Sequence, residues 1–571
     1  MNTSESKLSR RQMLAALGIS AVAGVLAACG GTAAPAGSAA SPASGGSIAA
    51  GKPQAGGELK IAFPAEEAGD TPTLDPPMKI STWGNVITEA LYDTLVYQDP
   101  KDNSIKPGLA ASWQVSDDGK SYTFKLREDA KFHDGTPVNA GAVKFTFDRA
   151  ADKQYLPNNA YSTVLMEAYD HSEVVDEHTV KVVTKDRRVN FLPSTMGRSY
   201  LGIVSPTAVK KYGVPGFGDH PTGSGPYRFV EWARGSHITI ERNPDYKWGS
   251  PIFREQGPPL VDRITFSFIP EASTRLAALQ SGEVNAILGV PEANLAALSA
   301  DPRFEVQRGL KNGAPSRINV NNQRSPTNEV AVRVAISQAI DREALNKTVL
   351  FGQDKPYYGF LEERMLDLKP DALAPKYDPE AAKKTLDDAG WKLGTDGIRA
   401  KAGKRLQLQA IGYATNPPVL EFVQSELKKV GMDVSVEKLS AAAVTARAET
   451  SEGTFNLLYR TFVGFTNEDP HVLFTDYNSA NIPPKQTNDR DRFSNPDVDK
   501  LTIAGYQEPD PEKRKQIYWQ VQDILTKEVP NIPLFEVYQT VGVKKGVHDI
   551  IPDARGTYYY LNDAWIDPSA R

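Results

Sequence analysis

Residues 109–149 read LAASWQVSDDGKSYTFKLREDAKFHDGTPVNAGAVKFTFDR. They describe a strand, a tight turn, a second strand, a short loop and a helix. From Tyr122 to Leu126, Tyr122, Phe124 and Leu126 fall on one side and Thr123 and Lys125 on the other, the period of two that marks a half-buried strand. Asp117-Asp118-Gly119 supplies the turn before it, with Gly119 free to take a positive φ. Asp134 to Pro137 is the next break. Asn139 then offers an N-cap to a helix whose Val143 and Phe147, four apart, share a face. Nothing in the stretch has the pattern of a catalytic site.

Around it lies a chain of 571 residues, too long for one core and enough for two or three domains. Hydrophobic residues at 40% and charged residues at 24% are ordinary for a globular protein. The net charge is −5; residues 1–28 contribute +2 through Lys7, Arg10 and Arg11 against Glu5, and the rest carries −7. A mildly acidic chain with scattered charge lacks the basic stripe that nucleic acid requires. The single cysteine, Cys29, excludes an intrachain disulfide and a cysteine-rich metal site.

The N-terminus is an address. Ser9-Arg10-Arg11 opens an apolar run from Leu14 to Ala28, shorter than the ~20 residues of a permanent membrane span. A basic start, a short apolar core and small residues before a cut are the marks of an export signal. The paired arginines resemble a twin-arginine signal, and a general secretory signal is the alternative. Leu26-Ala27-Ala28-Cys29-Gly30 resembles a bacterial lipobox, which would cleave the chain before Cys29 and lipidate it. Residues 30–56 are almost all Gly, Ala, Ser, Pro and Thr, a flexible tether whose ~27 residues reach roughly 30 Å on average.

Beyond the tether, strands are expected at Gly57–Phe63, Val180–Val183, Ile238–Arg242, Val261–Phe268, Val284–Ile287 and Ile318–Val320. Trp83–Tyr97 reads as a helix. Thr274–Gln280 is another, ended by Gly282, and its flanking strands imply a parallel sheet joined by a right-handed crossover. From Asn328, residues Val332, Ala335, Ile336, Ala339 and Ile340 form an amphipathic helical stripe. Asp378 caps a helix with Pro379 at its first position and Gly390 at its end. Leu406–Ile411, Val419–Val430 and Asp433–Glu437 make one βαβ unit. Asp510 starts a last amphipathic helix, ending at Pro530.

Two loops bear on chemistry. Pro221-Thr-Gly-Ser-Gly-Pro-Tyr227 lacks the lysine and spacing of a phosphate-binding loop, and Thr222 replaces the first glycine of G-x-S-x-G, so nucleotide and hydrolase readings fail there. Phe455–Tyr477 begins as a strand and becomes a loop of aromatic and polar residues. Tyr459, Phe462, Phe465, Thr466, Asn467, Glu468, Asp469 and His471 give apolar walls with a few polar anchors, the mixture that suits a ligand pocket at a strand's carboxyl end. Trp83, Asn319 and Asn321 are further candidates. None of the seven histidines forms H-E-x-x-H or an i, i+4 pair, so no metal site is expected.

Several elements, in one order, resemble a known family: the extracellular solute-binding proteins, family 5, of peptide and nickel ABC importers. They are Leu74-Asp75-Pro76; Ala111-Ser-Trp113 through Lys131-Phe-His-Asp-Gly135-Thr-Pro137; the 221–227 loop; Asn243-Pro-Asp-Tyr246; the Val332–Arg342 helix; and the Asp510 helix. The resemblance covers about residues 57–550. It implies a two-lobed α/β fold of the periplasmic-binding-protein type II kind, with mixed sheets flanked by helices. The implied division is 57–98, 221–312 and 536–571 for the core of lobe I, 99–220 for an extra subdomain, and 313–535 for lobe II. It implies a monomeric, lipid-anchored, exported binding protein at the outer face of the cytoplasmic membrane or in the periplasm. Such a protein carries an oligopeptide or similar solute to an ABC permease and its ATPase, without cofactor or catalysis. Peptide-binding relatives place an aspartate before the element matched here by Glu468-Asp469-Pro470. Phe465 and Thr466 stand there instead, which leaves an oligosaccharide or nickel chelate open as the ligand. A tethered secreted hydrolase and a sensing subunit without transport are the other readings.

Overall fold

The computed structural model describes residues 52–64, 73–78, 82–152, 166–197, 199–310, 313–414, 416–460, 469–484, 489–553, 556 and 559–570. Its architecture rests on three sheets. In the first, the order from one edge is Phe304–Leu310, Tyr538–Lys544, Ala286–Leu288, Glu58–Phe63, Arg263–Phe268, His237–Arg242 and Tyr227–Ala233. Glu58–Phe63 is parallel to both neighbours, and helix Ala272–Ser281 makes the crossover between them, closed by Gly282 at φ 82°. Leu59, Ile61 and Phe63 are buried as their alternation requires.

The second sheet has the order Lys355–Pro356, Asn531–Glu536, Ser316–Val320, Leu457–Arg460, Gln407–Tyr413 and Asp433–Leu439. The βαβ unit is at its far edge: Gln407–Tyr413 and Asp433–Leu439 are parallel, with Val419–Lys429 between them. That helix turns Val419, Leu420, Val423 and Leu427 inward, and the helix Val330–Ala339 buries Val332, Ala335, Ile336 and Ala339. The third sheet is antiparallel, in the order Ala110–Val115, Ser121–Leu126, Thr179–Thr184, Tyr169–Asp176. Tyr122, Phe124 and Leu126 are buried, and the Asn139 side chain accepts from the Ala142 amide at 3.0 Å to cap helix Ala140–Ala151. Leu95, Val96, Tyr246 and Trp248 join the core under this sheet.

The chain passes twice between the first two sheets. One passage leads from Phe304–Leu310 to Ser316–Val320; the other leads from Asn531–Glu536 to Tyr538–Lys544 across the single residue Val537. The two lie side by side, since Leu310 is opposite Tyr538 and Ser316 is opposite Phe535. Two lobes joined by a pair of adjacent strands follow from this connectivity.

The helix expected over 83–97 stops early. It spans Thr82–Leu91, and Val96–Gln98 is a strand paired with Ile105–Pro107. The cause is tertiary. The 221–227 loop docks on the helix end, where the Gly225 amide donates to Leu91 O at 3.0 Å. A Cβ at Gly225 would lie 2.5 Å from Ala90 O, and one at Gly223 2.1 Å from Leu91 O, so only glycine permits this approach. Below it, Asp93 gathers the chain away from the helix axis. Its carboxylate accepts from Tyr97 Oη at 3.0 Å, Tyr246 Oη at 2.9 Å, Trp248 Nε1 at 2.9 Å and Ser224 Oγ at 3.0 Å. The last helix runs Pro511–Glu528, capped by Asp510, and the left-handed Val529 turns it into strand Asn531–Glu536.

Candidate functional site

Strands of both sheets end at one place beside the two passages. Ala286–Leu288 runs out into Val290 and Glu292, Gln407–Tyr413 into Pro417, and Leu457–Arg460 carries the buried Tyr459 near its carboxyl end. These residues line a cavity of about 130 Å³ together with Leu295, Arg308, Leu350, Gln353, Asp354, Phe535, Val537, Tyr538 and Thr540. Carboxyl ends of strands at a crossing between sheets are where α/β folds take ligands. The walls combine aliphatic and aromatic surface with a cation, Arg308, two carboxylates, Glu292 and Asp354, and an amide, Gln353.

These side chains are fixed from behind. The Arg308 guanidinium lies 4.7 Å from the Tyr538 ring centroid and donates to Gln353 O, linking the two lobes across the cavity. Thr540 Oγ1 accepts from the Val290 amide at 3.0 Å, and the Asp354 amide donates to Asn346 Oδ1 at 3.2 Å. Beside the second passage the buried Glu536 is 3.6 Å from Lys355 Nζ. Burial pushes the Glu536 carboxyl up, opposed by the Glu363 amide and Lys355. Thr540 is the one aliphatic hydroxyl in the lining, and its partner is the Val290 backbone rather than a base. Among the described residues no group of histidine, cysteine or acidic side chains is placed to hold a metal ion.

The residues singled out in the sequence fare differently. Tyr459 lines the cavity. Asn319 and Asn321 do not; both are wholly buried behind it. Asn319 Nδ2 donates to Asp491 Oδ1 at 2.6 Å, and Asn321 Nδ2 to Gly453 O at 2.8 Å. Asp491 is the hub of this network, since Asn531 Nδ2 reaches its other oxygen at 2.6 Å. Asp469 is spent on a buried ion pair, both oxygens accepting from Arg514 Nη2 at 2.8 and 2.7 Å, while Oδ1 also takes the His471 amide at 2.8 Å. The His471 ring stacks on Phe474, centroids 5.1 Å apart. Trp83 is in helix Thr82–Leu91. Phe462, Phe465, Thr466, Glu468 and Cys29 lie outside the described residues. The lining also holds Glu292, Arg308, Gln353, Asp354, Tyr538 and Thr540, which the sequence reading did not single out. Their signal is not local: Arg308, Tyr538 and Thr540 meet through the pairing of strands 304–310 and 538–544, and Glu292, Gln353 and Asp354 arrive from other segments.

Known proteins agree with this architecture. Residues 104–484 match the family described as bacterial extracellular solute-binding proteins, family 5, middle region. The glutathione-binding protein GsiB of Salmonella typhi is 31% identical over 490 residues, 83% of this chain and 90% of that one. Among solved structures, the periplasmic binding protein DppA of Helicobacter pylori in complex with peptide STSA superimposes with a TM-score of 0.75 at 26% identity, over 89% of this chain and 99% of that one. NikA of Brucella suis in complex with Fe(III)-EDTA superimposes with a TM-score of 0.78 at 25% identity, over 90% of this chain and 100% of that one. The fold is thus the periplasmic-binding-protein type II fold, and the matches are to binding proteins rather than enzymes. The chain belongs to extracellular solute-binding protein family 5, the solute-binding subunits of ABC importers.

Proposed function

We propose that this member of family 5 captures a short peptide or a peptide-like solute between its lobes and delivers it to an ABC permease. The observation that carries the reading is the cavity beside the paired passages, where Arg308, Glu292 and Asp354 offer both signs of charge within apolar walls. A zwitterionic ligand presents an ammonium and a carboxylate, and a site with one cation and two carboxylates can meet both. The likeness to a glutathione-binding protein and to a peptide-bound one points the same way. Ligand that bridges the lobes shifts a hinge equilibrium toward closure by its differential affinity for the two states. Export and lipidation at Cys29 would hold the body at the outer membrane face; among the described residues no helix is long and apolar enough to cross a membrane.

The test is calorimetry of the purified chain against reduced glutathione, di- and tripeptides, a nickel–histidine chelate and an oligosaccharide, with mass spectrometry of any solute that co-purifies. One-to-one binding of a peptide-like solute, weakened by Arg308→Ala, supports the reading. The unfolding free energy should rise by about 2.7 kcal/mol at 100 Kd. Binding of the chelate or oligosaccharide alone overturns the peptide assignment and leaves the second reading, to which Phe465 and Thr466 in place of the peptide-pairing aspartate already point. Release of a cleaved product overturns the binding role itself. For the anchor, Cys29→Ala should move the protein from the membrane to the soluble fraction.

A further inference from the structure

The segment that follows strand Thr179–Thr184 of the third sheet touches the other lobe. Tyr122, on that sheet's second strand, donates from its hydroxyl to Arg188 O at 2.8 Å, and its ring packs on Phe191. That fixes the segment after strand Thr179–Thr184. From there the Val189 amide donates to Tyr506 O at 3.0 Å, and the Arg188 guanidinium lies 4.1 Å from the Tyr506 ring centroid. Tyr506 belongs to helix Pro496–Gln507, in the lobe built on the second sheet. Asp186 Oδ1 is 3.2 Å from Arg188 Nε, so the cation is aimed by its own lobe and read by the other.

On its far side the Tyr506 ring meets Phe474 and His471 edge-on, at 5.1 and 5.5 Å. These two residues open helix Val472–Tyr477, directly after the pair Asp469–Arg514 that pins the helix start. Arg514 Nε in turn donates to Gly505 O at 3.1 Å, the residue before Tyr506. Contact at Tyr506 is therefore packed against the end of the 455–477 segment.

We propose that Arg188 and Tyr506 are positioning residues for closure: a latch that joins the extra subdomain to the second lobe when the two lobes come together. The inference rests on the two-lobed binding role. The cation–ring pair and the Val189–Tyr506 hydrogen bond span separate lobes, so they exist only where the lobes meet and favour that state over an open one. A chain without them would be more open at rest and would bind any bridging ligand more weakly by the same factor.

The experiment needs no ligand, so it stands apart from the identity of the solute. Amide exchange at Val189, read by mass spectrometry with fragmentation, and the radius of gyration from solution scattering are measured on the full chain. The variants are Arg188→Ala, Tyr506→Leu and Tyr506→Phe. Arg188→Ala and Tyr506→Leu should each speed Val189 exchange about tenfold, which is the worth of a desolvated cation–π contact, and raise the radius of gyration. Tyr506→Phe keeps the ring and the carbonyl acceptor and should match the wild type. If Arg188→Ala disturbs its own sheet, Tyr506→Leu decides, because it retains apolar bulk against Phe474. Unchanged exchange and size in Tyr506→Leu overturn the latch, as does a Tyr506→Phe variant as open as Tyr506→Leu.

Discussion

Asp93 is a carboxylate with four donors and almost no solvent: it is 2% exposed. The four donors come from three segments, Tyr97, Ser224 and the pair Tyr246 and Trp248, which makes the group the tie between the first sheet, the glycine loop and the sheet of residues 110–184. Burial pushes its pKa from 3.8 up to about 6, against the four hydrogen bonds that pull it down. With the folded value above the unfolded one, the native state holds a proton that the unfolded chain has lost. The contribution is fully present below pH 3.8 and is lost as pH rises to about 6. At ~1.4 kcal/mol per pKa unit the span is on the order of 3 kcal/mol. Asp93→Asn removes this titration at little cost in shape. Its amide oxygen can take Trp248 and Ser224, and the two tyrosine hydroxyls can turn to accept from its NH₂. Asp93→Ala instead orphans the hydroxyls of Tyr97, Tyr246 and Ser224 in a dry site, at about 1–3 kcal/mol each before relaxation, while Trp248 Nε1 keeps the Ser224 carbonyl at 3.1 Å. Urea unfolding followed by tryptophan fluorescence at intervals from pH 4 to pH 7 reads both effects. Relative to the wild type, Asn should gain stability steadily between pH 4 and 6, and Ala should lose at least about 3 kcal/mol throughout. Parallel pH profiles for wild type and Asn, or an Ala variant within about 1 kcal/mol of the wild type, would refute the account of Asp93 as a buried, proton-holding tie.

Three other outcomes follow from packing and pairing. Gly225→Ala forces a Cβ to within 2.5 Å of Ala90 O, and should cost about 1–3 kcal/mol in chemical unfolding; an unchanged midpoint would mean the loop can leave the helix end freely. Asp469→Asn breaks the buried pair with Arg514 and should cost roughly 3–5 kcal/mol. It should leave the affinity of whichever solute the calorimetric panel identifies within about twofold, and a large affinity loss at unchanged stability would put Asp469 in the site instead. Asp491→Ala strands the amides of Asn319 and Asn531 in the core and should cost about 2–6 kcal/mol, read as a lowered unfolding midpoint; a loss matching a surface substitution would count against the hub.

How far the chain could be read in advance depends on where each cause lies. Strand Ser121–Leu126 and helix Ala140–Ala151 were legible because their determinants, alternation and the Asn139 cap, sit within a few residues. The βαβ unit at 407–439 was legible for the same reason. The end of helix Thr82–Leu91 was not: Leu91, Leu95 and Val96 continue an apolar run, and what stops the helix is a loop more than a hundred residues later, through Gly225 and Ser224. The same distance hides the site. Arg308 and Tyr538 face one another only through strand pairing, and Asp354 arrives from a third segment.

Polar residues were also the hardest to sort by role, and the physics of burial shows why. Asn319, Asn321 and Asp469 have the composition of ligand anchors, and so do Arg308 and Asp354. A buried amide or carboxylate must find partners wherever it lies. The first three find them within the protein, in Asp491, Gly453 and Arg514. Arg308 instead reaches across the cavity to a backbone carbonyl of the other lobe, a contact that depends on how the lobes stand. An anchor internal to one lobe therefore differs from a side chain that crosses between lobes in where its partner lies. By that criterion Arg188, which crosses to Tyr506, belongs with Arg308 and not with Asp469. The stretch that decides the fold thereby also reaches the contact between the lobes, through Tyr122 and the carbonyl of Arg188.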